Sequence, residues 1–277
     1  MMDIYYENSK GDRLNLLEPP YCLQTADIFD KSWTYSSVST RRSRERIESF
    51  SKEIGSRMLV LSIIGQASIQ YQDALNKFHE VTEYDILNAS PGRLWAGEYY
   101  FPCYVLSSSK AEWEFDIDRL DNEIEIVSDY PFWCRERLFS FRKDAGAQSD
   151  FLDYPHGYPY DYCAPSNMRF LNNDHYYGCD FMCTVYGPCE SPRFMINDHI
   201  YEVRTVLYDS ERLTFDSRGK SLVKTDYQGR EINIFNSRNK EHSLFQKIPP
   251  GRSSVTWNMG FDFDITLFQE RSEPEWK

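Results

Sequence analysis

The stretch FMCTVYGPCESPRFMINDHIYEVRTVLYDSERLTFDSRGKSLVKTDYQG, Phe181 to Gly229, decides the fold class. Apolar side chains alternate in short runs, and each run stops at turn chemistry. Phe181, Cys183 and Val185 end at Gly187–Pro188, and Phe194 and Ile196 end at Asn197–Asp198. Tyr201, Val203, Thr205 and Leu207 end at Asp209–Ser210, Leu213 and Phe215 at Ser217–Gly219, and Leu222 and Val223 at Gln228–Gly229. A period of two places the apolar set on one strand face, and many short strands at close spacing describe a β-sandwich.

Downstream the pattern continues through Ile232 and Ile234, Pro249–Pro250–Gly251, Val255 to Trp257, and Phe261, Phe263, Ile265 and Leu267. Upstream it disappears between Lys143 and Asn173. DYPHGYPYDYC, Asp153 to Cys163, is mostly Tyr, Pro, Asp and Gly, and Pro155 and Pro159 exclude a regular central strand. A boundary here predicts two domains, residues 1–148 and 149–277.

The first of these reads as strands with one short helix. Tyr5 to Leu17 opens it around a polar turn, and Trp33 and Tyr35 alternate across the next strand. Met58 to Ile64 is a continuous apolar run, predicting a strand buried on both faces. Asp73 reads as a helix N-cap, with Leu75, Phe78 and Val81 along one face. Pro91–Gly92 closes that unit. Leu94 to Val105, Trp113 to Phe115, Ile124 with Ile126, and Trp133 to Phe139 supply further strands.

Bulk properties narrow the function. The net charge of −12 excludes non-specific nucleic-acid binding, which needs a cationic field. Arg41, Arg42, Arg44 and Arg46 form a local basic run, read as a solvated loop or strand edge. The 7 cysteines are odd in number and scattered, unlike a secreted disulfide framework. Cys179 and Cys183, four apart in a strand, would lie roughly 13 Å apart, too far to share a metal. They read as buried free thiols. Met1 to Asn8 has no signal-peptide character, and no apolar run reaches membrane-span length, so the reading is a protein made in a reducing cytoplasm.

Catalytic chemistry is not nominated. There is no G-x-S-x-G, H-E-x-x-H or phosphate-binding loop, and no two of the 5 histidines sit at ligand spacing. Asp116, Asp118, Asp121 and Glu123 lack the glycine of a calcium loop. The expectation is no enzyme activity, no cofactor and no metal. Tyr158 and Tyr160, between Tyr154 and Tyr162, offer a sugar-stacking surface. Asp153 and Asp161 argue against nucleic acid there, and linker packing or a subunit interface is the commoner use of such a cluster.

Laid end to end, these segments resemble the distal tail proteins of long-tailed bacteriophages. The likeness runs through YYENSKGDRLNLLEPPY (Tyr5 to Tyr21), DALNKFHEVTEYDILNASPGRLWAGEYYFPCYV (Asp73 to Val105) and YPHGYPYDY (Tyr154 to Tyr162). It continues in VYGPCESPRFMIND (Val185 to Asp198), LTFDSR (Leu213 to Arg218), NIFNSRN (Asn233 to Asn239) and IPPGRSSVTWNMGFDFDITLFQERSEPEW (Ile248 to Trp276). Each piece is a packing or turn motif; their ordered recurrence is specific.

The resemblance implies a β-sandwich-like N-terminal domain with one helix that forms a ring, usually hexameric, and a C-terminal galectin-like β-sandwich. Such a ring joins the tail tube to the tail-associated baseplate hub protein and encloses the DNA channel, in a virion assembled in the host cytoplasm. Receptor-binding proteins are further partners of such tips; sequence-specific nucleic-acid binding and membrane association are not expected. Ring contacts are expected between Trp33 and Phe50, with Trp33, Tyr35, Arg42 and Arg44 as candidates, and at the Asp73 helix. The alternative is a lectin-like receptor-binding module of the tail tip.

Overall fold

The structure is a computed structural model describing residues 2–39, 44–65, 68–111, 119–143 and 168–276. The chain forms two compact units, one of residues 1–135 with 270–277 and the other of residues 136–269.

Unit 1 contains strands β1 (Ile4–Glu7), β2 (Arg13–Asn15), β3 (Tyr21–Ala26), β4 (Thr34–Val38), β5 (Arg46–Ser51) and β6 (Gly55–Ile64). Helix α1 (Ser68–Leu87) follows, then β7 (Gly92–Ala96), β8 (Tyr99–Ala111), β9 (Arg119–Ser128) and the start of β10 (Trp133–Phe141). One antiparallel sheet runs β3–β6–β9–β8. Another runs β2–β1–β7–β8. The long β8 serves both, pairing Tyr99 to Cys103 with β7 and Tyr104 to Ala111 with β9.

The core between these layers joins Leu59, Leu61 and Ile63 of β6 to Leu120, Ile124 and Ile126 of β9. Tyr71, Ala74, Phe78 and Val81 pack from α1, three or four residues apart as one helix face requires. That face begins upstream of the expected short helix. Asp73 lies inside α1 and is not its N-cap, because Tyr71 extends the buried stripe by another turn. A second expectation is also corrected. Leu61, Ser62 and Ile63 of β6 are buried on both faces, but Met58 at the start of the apolar run is 44% exposed.

A buried polar junction ties the N-terminal strand to α1. Tyr6 Oη donates to Asp85 Oδ2 at 2.5 Å, and Ser9 N donates to Asp85 Oδ1 at 2.7 Å. Burial, then the neighbouring Cys103 and Asp85, push the Tyr6 phenol up and keep it a donor. Gly92 is required beside this pair, since a Cβ there would overlap Tyr6 Oη and Asp85 Oδ2.

Unit 2 holds the rest of β10, then β11 (Met168–Asn173), β12 (Asp180–Tyr186), β13 (Cys189–Glu190), β14 (Arg193–Ile196), β15 (His199–Glu202) and β16 (Val206–Leu207). After them come β17 (Arg212–Asp216), β18 (Ser221–Thr225), β19 (Glu231–Asn233), β20 (Gly251–Trp257) and β21 (Asp262–Arg271). Sheet β19–β18–β17–β12–β21 faces sheet β11–β20–β14–β15. Their inner residues interdigitate as a β-sandwich: Phe194 of β14 stacks on Phe263 of β21 with centroids 4.7 Å apart.

The chain leaves unit 1 within β10 and re-enters it within β21. The units therefore divide at Arg135, upstream of the Tyr/Pro-rich stretch, because Phe141 belongs to the sandwich core with Phe263. Residues 270–276 return to unit 1. Among the described residues the structure is mainly β with one long helix, and that helix is not apolar enough to cross a membrane.

Replacing Tyr6 with Phe should destabilise unit 1 by about 1–3 kcal/mol, since Asp85 keeps its burial but loses a donor. Urea unfolding followed by tryptophan fluorescence should show the lowered midpoint; an unchanged midpoint would show that the junction contributes nothing net.

Candidate assembly interface

Strands β4 and β5 pair only with each other, and every residue of both is exposed. Thr34 stands opposite Ser51, Tyr35 opposite Phe50, and Ser36 opposite Ser49, with a bulge before Ser37 and Ile47. The two faces of this arm differ. On one, Thr34 and Ser51 hydroxyls meet at 3.0 Å and Ser36 and Ser49 at 2.7 Å. On the other, Tyr35 is 65% and Phe50 64% exposed. A two-stranded hairpin is at best marginally stable in water, and exposed aromatic pairs of this kind are the sort of patch on which interaction surfaces are built.

The root of the arm, by contrast, is firmly held. Asp27 N donates to Met58 O at 3.1 Å, Met58 N donates to Asp27 Oδ1 at 2.6 Å, and Arg57 reaches the Asp30 carbonyl. On one side, Phe29 stacks on Trp133 at 5.6 Å and meets the edge of Trp276 at 5.0 Å, while Lys31 pairs with Glu273 at 3.0 Å. On the other, Trp33 packs edge-on to Phe132 at 5.9 Å. Lys52 lies over both rings and donates to Pro131 O at 2.9 Å.

Charge at the root is uneven. Lys31, then Trp276 Nε1, hold the Glu273 carboxyl below its usual range. Burial, then Arg57 and Lys31, push Lys52 down to about 8, with Glu273 acting the other way. Its place over two ring faces favours the charged form, so the ammonium sits between opposing pulls.

The residues nominated from sequence fall in different places. Tyr35 projects from the arm, and Arg44 is exposed beside β5. Trp33 is half-buried at the root, where it supports the arm as much as it presents a surface. Arg42, and Tyr158 and Tyr160 of the stacking cluster, lie outside the described residues, as do Asp116 and Asp118. Asp73 sits on α1, apart from the arm's pairing. Val38, Ile47 and Phe50 are the arm's other large exposed apolar side chains, and no alternation singled them out in the sequence. Glu273 and Trp276 carried no sequence signal pointing to Lys31 and Phe29. Among the described residues no three His, Cys, Asp or Glu gather as a metal site requires.

A β-unit with one helix and a two-stranded arm, followed in the chain by a β-sandwich, is a fold this chain shares with solved phage structures. The chain aligns with the crystal structure of the Dit protein of phage SPP1, described as a paradigm of the hub adsorption apparatus in phages infecting Gram-positive hosts. That match covers 98% of this chain and 99% of the other, at a TM-score of 0.60 and 7% identity. A chain of the phage P2 baseplate in its calcium-activated conformation matches at a TM-score of 0.64 and 11% identity, covering 99% of each. The strontium form of that baseplate gives 0.64 and 10%, covering 99% and 100%. At these identities the likeness is one of fold. No protein-family model and no curated protein sequence matches the chain.

Lys52 supplies a pH test. The unfolded chain keeps its proton up to an ordinary value of 10.5, the folded root only to about 8. Between those values the unfolded state binds more protons, so stability from this group rises as pH climbs through that window and is missing below it. Thermal melts between pH 8 and 10 should show the rise in the wild type and a flatter curve in Lys52→Met. Parallel curves would remove Lys52 from the account.

Proposed function

We propose that this protein is a structural component of a long-tailed phage tail tip, forming a ring, usually hexameric, between the tail tube and the baseplate hub protein. The observation that carries the reading is the arm: a two-stranded hairpin with a bare aromatic face, on a chain whose whole length has a distal-tail-protein fold. A ring needs a heterologous contact, one surface on each copy meeting a different one on the next, with a rotation that closes. An arm rooted in one copy and docked on its neighbour supplies such a contact. Tyr35, Phe50 and Arg44 are the side chains assigned to it, with Arg42 added on its place in the sequence alone.

The ring would enclose the channel through which DNA passes. The uncovered face of β6 and β9 suits that passage. By register it carries Asp121, Glu123 and Glu125 beside Ser56 and Met58, with Arg119 at its end, so its described carboxylates outnumber its cations. Unit 2 is assigned to a galectin-like module projecting from the ring, and unit 1 to the ring-forming part. The protein's place is the virion tail tip, after synthesis in the host cytoplasm. Its role is assembly and not catalysis.

Light scattering with negative-stain imaging tests this. Six chains of 32.8 kDa give a ring of roughly 200 kDa with a central hole. Replacing Tyr35 and Phe50 together with Ser should leave far-UV circular dichroism intact and shift the peak to a monomer. A ring that persists in the double variant would clear the arm of this role. A wild-type chain that neither closes alone nor caps isolated tail tubes would overturn the assembly reading itself.

A further inference from the structure

The last described residues of the chain do something specific in unit 1: they touch the segment that leads into the arm. Glu273 Oε1 pairs with Lys31 Nζ at 3.0 Å, while its Oε2 accepts from Trp276 Nε1 at 3.4 Å. One carboxylate thus joins the approach segment to the indole, and that indole meets the edge of Phe29, which stacks in turn on buried Trp133. Two residues beyond Lys31 stands Trp33, and the arm begins at Thr34. Trp276 is 65% exposed, so it does little for the core; its contact is with the root.

We infer that Glu273 and Trp276 are positioning residues that hold the arm in its docking orientation, which rests on the reading of the arm as the contact with a second copy. The physical reason is entropic. A hairpin swinging on a loose root must be ordered at the moment of docking, and that cost weakens the contact; a root fixed beforehand removes it. An exposed ion pair alone contributes little. Here it is joined to an aromatic contact, the two bearing on Lys31 and Phe29 just before the arm, while the Trp276–Glu273 hydrogen bond ties them together. Glu273 is the acidic member among Lys31, Lys52 and Arg57, so its loss leaves three cations at the root unopposed by it.

The test uses the full chain with Glu273→Gln, Trp276→Ala, and the exchanged pair Lys31→Glu with Glu273→Lys. Both single sites are at the surface, and matching circular dichroism and melting curves would establish that the units stay folded. Limited trypsin digestion of dilute, monomeric protein reads the arm directly through cleavage after Arg44 and Arg46, since cleavage follows the population of the open form. The expected result is cleavage faster by about three- to tenfold in each single variant, with the exchanged pair restored towards wild type. The concentration needed for ring closure should rise by a similar factor. Unchanged cleavage in both single variants overturns the inference, whatever the rings do. Faster cleavage with unaltered ring closure overturns it too, because the arm's order would then not matter for docking. Absence of any wild-type ring would count against the assembly reading, and the cleavage rates would still decide whether Glu273 and Trp276 hold the arm.

Discussion

A β-sheet must bury one face against a second layer, and the exposed aromatic face of β4 and β5 finds no such layer among the described residues of this chain. The four-stranded sheet of unit 1 lays Leu59, Leu61 and Ile63 against α1 and the opposing strands. The two sheets of unit 2 supply each other's cover through Phe194, Phe215 and Phe263. Tyr35 and Phe50 have only each other, across a single hairpin. Two features of the arm accompany that shortage: the hydroxyl ladder on one face, and the cation and rings clamped at the root.

The same shortage marks what the sequence could and could not reveal. Alternation in β12, β17 and β18 was legible because their partners lie in the same chain, so inward Phe181, Leu213 and Leu222 are apolar while their neighbours are polar. Trp33 and Tyr35 alternate just as clearly. An apolar side chain, however, looks the same in sequence whether its cover comes from its own chain or from elsewhere, so strand and exposure had to be separated by the structure. Met58 and Val60 misled for the same reason, reading as a doubly buried strand although Met58 lies on an open face. Asp73 misled differently. A good capping residue inside a helix is indistinguishable from one at its start unless the upstream turn is known to be buried, and Tyr71 was the residue that decided it.

The root was beyond any local reading. Phe29 with Trp276, and Lys31 with Glu273, come from opposite ends of the sequence, and neither pair has a spacing rule that would bring it to notice. Side chains of this kind are chosen by where the chain happens to return. That return is dictated by topology, since β21 carries the chain from one unit back into the other.

That topology also sets an order of events on the ribosome. Unit 1 is written in two instalments, with all of unit 2 encoded between them. At translation speeds of about 5–20 residues per second, the interval is on the order of ten seconds. Throughout it the root of the arm has its contacts with Met58, Phe132 and Trp133 but not yet those with Glu273 and Trp276. Polysomes bring many such chains close together, the setting in which sticky hairpins mispair. A chain built this way completes the last contacts at the root of its exposed hairpin only after synthesis has passed the sandwich.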